Sequence, residues 1–224
     1  MTSSASGKVI EIAPGRRLRD RAGEGPYHKG NVKASLVAAA RRLLESETVE
    51  AITARRLCRE VGVSSANFYN HFDSLEQLFL DVAAEGFASR AAENRRLLKR
   101  GGAREDMLVQ LAQNLVEFAC SEPELFRLMF GQLGDVSSHP HYVSQADDSF
   151  RVLVQIVHGE DLYRPDDLEH SHEVCKAAYA FFSFIYGLAR GYAQGLIANA
   201  SGTRAERRRF VEDLTRQVIR GIGG

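Results

Sequence analysis

The sequence predicts an all-α protein, with an N-terminal three-helix helix-turn-helix domain followed by a larger C-terminal helical domain. Two short amphipathic patterns meet at Gly62, between Thr53 and Phe72. From Leu75 onward, apolar residues recur at helical spacing, and alternating strand patterns are scarce. The 224 residues leave room for both parts.

Residues 1–26 read as a flexible arm of Thr, Ser, Gly and Pro that closes in Arg16-Arg17-Leu18-Arg19-Asp20-Arg21. Its arginines suit a minor groove or phosphates. Residues 27–73 form the helix-turn-helix domain and 74–224 the second domain. Thr53 and Ser64 each precede an amphipathic run, where a hydroxyl can accept an unpaired backbone N–H. Gly62 supplies the positive φ that ends one helix and redirects the chain. Leu57 and Val61, then Val63, Phe68 and Phe72, give the pair one apolar face.

The spacing of Leu75, Leu78, Phe79, Val82 and Phe87 predicts a long helix to about Arg100, closed by Gly101-Gly102. Further helices are expected near 103–120, 122–132, 143–158, 166–199 and 203–221. The breaks between them fall at Gly134 to Pro140, Gly159 to Pro165 and Asn199 to Gly202.

With the apolar face turned inward, Ser65, Ala66, Asn67, Asn70 and His71 are left outward. Asn can bond an adenine edge, Ala can touch a thymine methyl, and hydroxyls serve bases or phosphates. Ser65, Ala66 and Asn67 are therefore candidates for base edges, and Thr53, Arg55, Ser64, Tyr69, Asn70 and His71 complete the candidate DNA surface. A capped helical hairpin without a ligand is the plain alternative, because such caps are ordinary helix punctuation.

The segments Tyr27-His28-Lys29-Gly30-Asn31, Ala38 to Leu44, Val49 to Thr53, Gly62-Val63-Ser64, Phe68 to Phe72 and Ser74-Leu75-Glu76-Gln77-Leu78 resemble the DNA-binding domain of the tetracycline-repressor (TetR) family. The resemblance runs from Tyr27 to about Arg90. It implies a homodimeric cytoplasmic regulator, a repressor, that releases a palindromic double-stranded DNA operator when a small effector binds its C-terminal domain. Two departures stand out. Where the family commonly places a phosphate-binding Lys, this chain has Leu75, and where it usually has a small Ala, it has Cys58. A buried thiol fits Cys58, since free cysteines are among the most buried residues.

Gly187, Gly191 and Gly195, with Ser183 one step earlier, fall at four-residue intervals in the last long helix. Glycine costs about 1 kcal/mol against alanine inside a helix, so three in register call for the close approach of a second helix. The resemblance implies that this helix belongs to a second subunit, while packing within one subunit uses the same geometry. Phe210, Leu214 and Val218 of the final helix complete the candidate dimer interface. Leu111, Leu115, Phe118, Phe126, Met129, Phe130, Phe150, Val154, Tyr179, Phe182 and Tyr186 are candidates to line a pocket for a largely apolar effector, aromatic or fatty-acyl. Residues of these types at helical spacing equally serve as plain core.

Several function classes find no support. No Gly-rich phosphate loop or GxSxG elbow is present, so no enzyme and no cofactor are expected. His139, His141, His170 and His172 raise the alternative of a metal-responsive regulator. Yet their spacing matches no ligand motif, and His170 and His172 fall on different sides of a helix. A helical interaction module with a weakened DNA reader is the other alternative, resting on Leu75.

The longest uncharged run, Ala177 to Ala189, is shorter than a membrane span requires. The absence of a secretory leader and an odd set of three cysteines agree with a reducing cytoplasm. The chain is neutral overall, but residues 1–100 hold 17 Lys and Arg against 12 Asp and Glu, and residues 101–224 hold 12 against 17. A basic first half and an acidic second half suit a protein with one end turned to DNA.

Overall fold

In the computed structural model, residues 31–131, 136–197 and 202–222 are described, and among them the chain forms ten α-helices and no strand. The expected arm, Tyr27 to Gly30, and the breaks near Gly134 and Asn199 lie outside these residues.

Helix α1 (Val32–Leu43) starts where the Asn31 side chain accepts the Ala34 N–H at 3.1 Å, and it buries Leu36, Val37, Ala39, Ala40 and Leu43. Helix α2 (Ala54–Val61) and helix α3 (Ser65–Tyr69) form the glycine-hinged pair. Helix α4 (Leu75–Arg100) opens at Ser74, which caps the Gln77 N–H at 3.2 Å, and ends at Gly101 with φ +67°. Its first turns pack on α1 and its later turns on the second half of the chain, so one rigid rod serves both parts.

Helices α5 (Arg104–Ser121) and α6 (Pro123–Phe130) follow, then α7 (Pro140–His158), which lies along α4. The α4–α6 crossing is close because Gly86 has no Cβ: one built there would meet the Met129 sulfur at 2.5 Å. Helix α7 begins three residues earlier than the spacing predicts. The His139 ring caps the Tyr142 N–H at 3.2 Å, and Pro140 at the first helical position carries no N–H to leave unpaired.

The single helix expected over 166–199 is two. Helix α8 (Leu168–Val174) is separated at Cys175 from helix α9 (Lys176–Ala193). The buried Ser171 hydroxyl both accepts the Arg164 N–H at 2.7 Å and donates to the Arg164 carbonyl at 2.8 Å. That latch to the preceding loop fixes the direction of α8 independently of α9. At the other end, Gly195 takes φ +68°, with N–H bonds from Gly195 to the Tyr192 carbonyl and from Leu196 to the Gly191 carbonyl. This left-handed cap turns the chain after Gln194.

Helix α10 (Arg204–Ile222) is clamped to α5. Arg216 reaches Glu105 at 2.8 Å and Asp106 at 2.9 Å, while the Gln113 amide donates to the Arg208 carbonyl at 3.0 Å. Apolar side chains from the helices join one continuous core, to which α8 adds only the partly buried Val174.

Candidate nucleic-acid interface and ligand cavity

Each cap expected around the hinge is formed. The Thr53 hydroxyl accepts the Arg56 N–H at 3.2 Å and the Ser64 hydroxyl accepts the Asn67 N–H at 3.1 Å. Gly62 adopts φ +78°, and its N–H and that of Val63 both reach the Cys58 carbonyl. The buried Cys58 thiol donates to the Ser64 carbonyl at 3.7 Å, so it braces the turn.

Helix α3 is only five residues long, too short to hold itself by backbone bonds alone. Phe68, fully buried with its ring 5.7 Å from that of Phe72, anchors it. Ser64, Ser65, Ala66, Asn70 and His71 are exposed, Asn67 is half-buried, and Tyr69 is 58 % exposed with its edge on Phe68. The caps use acceptor lone pairs of Thr53 and Ser64, leaving each hydroxyl proton available to a phosphate.

The three arginines of α2 are sorted by their partners. Arg56 is tied to Glu60 at 2.8 Å and Glu47 at 3.3 Å. Arg55 is exposed and pairs with no carboxylate among the described residues, and Arg59, one turn further on, shares that state. Arg59 escaped the sequence reading, although its i, i+4 relation to Arg55 was there to find. Leu75 is half-buried against the core rather than extended toward solvent.

Two sets of contacts tie α1 and the α1–α2 connection to the later helices. In the first, buried Asp81 of α4 receives Lys33 of α1 at 2.8 Å and lies 3.2 Å from the Nε2 of His139. Because the His139 Nδ1 accepts the Tyr142 N–H, the proton of a neutral ring sits on Nε2, facing Asp81. In the second, Arg41 pairs with Glu122, the Glu124 carboxylate accepts the Val49 N–H at 2.9 Å, and Arg127 grips Glu50 through two bonds of 2.7 Å. The Arg127 guanidinium lowers the Glu50 carboxyl to about 2.

A cavity of about 90 Å³ lies among α4, α5, α6, α7 and α9. Of the residues expected to line a pocket, Leu111, Leu115, Phe130, Phe150 and Phe182 do so. Phe126 and Tyr186 instead face a neighbouring cleft of about 260 Å³ that shares Phe130. Phe118, Met129 and Val154 are packed into the core behind these walls, and Tyr179 lies against Phe150 with ring centres 4.8 Å apart, outside the cavity. Apolar spacing marks both core and cavity wall, so it could not separate them. Arg90, Asn94, Asn114, Ser149, Leu153 and Ile185 also line the cavity and were missed.

The expected interface residues divide in the same way. Ser183 and Gly187 are exposed on α9, and a Cβ at Gly187 would meet nothing within 4 Å. Gly191 is buried within its own chain, where a Cβ would lie 2.9 Å from Ile197. Gly195 lies past the helix end, so the three-glycine groove reduces to Gly187. Phe210, Leu214 and Val218 are half-buried on α10. The four candidate histidines do not gather: His170 and His172 are exposed on α8, His139 faces Asp81, and no three metal-type donors cluster among the described residues.

Residues 36–82 match the model described as "Bacterial regulatory proteins, tetR family", and residues 108–218 the one described as "Tetracyclin repressor-like, C-terminal domain". The chain belongs to the TetR family. A protein of unknown function from Rhodococcus has 26 % sequence identity and TM-score 0.66, over 86 % of this TetR-family chain and 97 % of its own. A Rhodococcus TetR transcriptional regulator, 14 % identical over 81 % of this chain and 93 % of its own, shares the fold at TM-score 0.56.

Two curated relatives match part of the chain. An uncharacterized HTH-type transcriptional regulator of Haemophilus influenzae is 26 % identical over 52 % of this chain, and the nucleoid occlusion factor SlmA of Vibrio vulnificus is 35 % identical over 46 %. The chain spans about half the length of these relatives, 57 % and 53 %.

Proposed function

We propose that this TetR-family protein is a sequence-specific DNA-binding transcriptional regulator of the cytoplasm, a homodimeric repressor that leaves a palindromic operator when a small, largely apolar effector binds. Its DNA reader is residues 27–73, and the sensing and dimerising part is 74–224. The observation that carries this reading is helix α3. It is pinned from behind by Phe68 and presents Ser65, Ala66 and Tyr69 outward, with exposed His71 just past its end. Such a surface suits a major groove, with Asn67 and its neighbours at base edges and Thr53, Tyr69, His71 and Arg55 on the backbone. Two subunits would set their α3 helices about 34 to 36 Å apart, one turn of DNA.

The cavity supplies the switch. Phe130 of α6 lines it, while Glu124 and Arg127 of the same helix hold Val49 and Glu50 beside α2. A ligand that displaces Phe130 moves the residues that hold the reader. A coupling of about 1 to 3 kcal/mol is enough to alter occupancy of an operator.

A gel shift with DNA from upstream of the protein's own gene tests the reading. A retarded band that competitor DNA of unrelated sequence does not remove is expected. Equal retention of all sequences, or none, would refute it.

A further inference from the structure

Three uncharged polar side chains converge on the α4–α9 cavity: Asn94 from α4, Asn114 from α5 and Ser149 from α7. All three are half-buried, and none hydrogen-bonds to any group among the described residues. With no protein partner among the described residues, the two amides and the hydroxyl keep their hydrogen-bonding capacity for a molecule in the cavity. Each offers both a donor and an acceptor. The cation beside them, Arg90, is already ion-paired with Glu93 and stacked over the Phe118 ring at 4.8 Å. The rim is polar without free charge.

The remaining wall is apolar, with Leu115 and Phe182 among its side chains. At about 90 Å³ the space is below the ~150 Å³ of a cavity that holds benzene, so a single ring enters with small shifts of the wall and a long acyl chain needs larger ones.

We infer that the effector is a compact neutral molecule, one ring or a few carbons bearing a hydroxyl or amide, and that Asn94, Asn114 and Ser149 read that group. A hydroxyl or amide both donates and accepts, as the three side chains require. A carboxylate only accepts, and it would arrive without a free cation to balance it. This inference rests on the cavity being the effector site. It replaces the broader aromatic or fatty-acyl class with a specific one.

The test is calorimetric titration of the full chain with benzyl alcohol, benzamide, toluene, benzoate and decanoate, repeated on Asn94→Leu, Asn114→Leu and the milder Ser149→Ala. Benzyl alcohol and benzamide are expected to bind about tenfold tighter than toluene, and benzoate more weakly than either. Each variant should lose part of that preference and keep its affinity for toluene. If Asn94→Leu or Asn114→Leu fails to fold by circular dichroism, Ser149→Ala decides. The inference is overturned if toluene equals benzyl alcohol, if benzoate or decanoate binds tightest, or if the folded variants keep the full preference. Should toluene or decanoate bind and release operator DNA regardless of the polar group, the cavity remains the effector site and only the chemical class is wrong. Should none of the five bind, both fall.

Discussion

Asn67 is the third residue after the cap Ser64, with its N–H taken by that cap and its side chain unpaired among the described residues. Replacing it by alanine should relax sequence choice, costing about 1 to 3 kcal/mol of discrimination at one base position and little elsewhere. Thr53→Ala should instead weaken binding to all sequences alike, and it should lower stability by about 1 kcal/mol through loss of the α2 cap. Binding measured on an operator and its single-base variants separates the two roles, and the reverse pattern would reassign them. Leu75 offers a second test. Its half-buried position at the first turn of α4 places an apolar side chain where the family resemblance leads one to expect a lysine. Leu75→Lys should steepen the slope of log affinity against log salt by about one per subunit, and an unchanged slope would show that this corner does not meet a phosphate.

Among the elements, α6 holds the position through which ligand and DNA could communicate. Its Arg127 is bonded to Glu50 of the short turn Val49–Ala51, and the carboxyl titrates near 2 instead of its ordinary 4.5. A lowered folded-state value means the bond contributes fully above the ordinary carboxylate range and is lost as pH falls from about 4.5 toward 2. Both groups are near the surface, so the contribution is modest and salt-sensitive. The melting temperatures of the protein and of Glu50→Gln should differ at pH 7 and converge as the pH is lowered through that window. A constant difference would mean that Glu50 acts through something other than its charge. Arg127→Ala should leave operator binding in place but weaken its response to effector, seen as a higher effector concentration for half-release.

At the scale of the whole molecule, Gly187 is the position where a second copy is expected to approach. It lies exposed on α9 with open space beyond it, so Gly187→Arg should fold with unchanged helicity yet scatter light as a monomer, and it should lose high-affinity binding to a two-half-site operator. A variant that stays dimeric would move the interface elsewhere. Much of the architecture was legible in the chain. The caps at Thr53 and Ser64, the hinge at Gly62, the long α4 and the helix count of the reader follow from short-range chemistry, because a cap or a left-handed glycine is decided within a few residues of itself. Cys175, where the expected long helix divides, was not legible, because the Ser171 latch to Arg164 depends on how the loop folds back. Nor were the fates of Gly191 and Gly195, since Ile197 returns over one and the helix ends before the other. Sequence alone therefore determined which stretches are helical, where α2, α3 and α4 begin, and which short surface carries Ser65, Ala66 and Asn67. Only the tertiary structure decided which apolar and amide side chains surround a cavity rather than fill a core. That distinction is set by where helices far apart in the chain leave space between them, and no local pattern of residues encodes it.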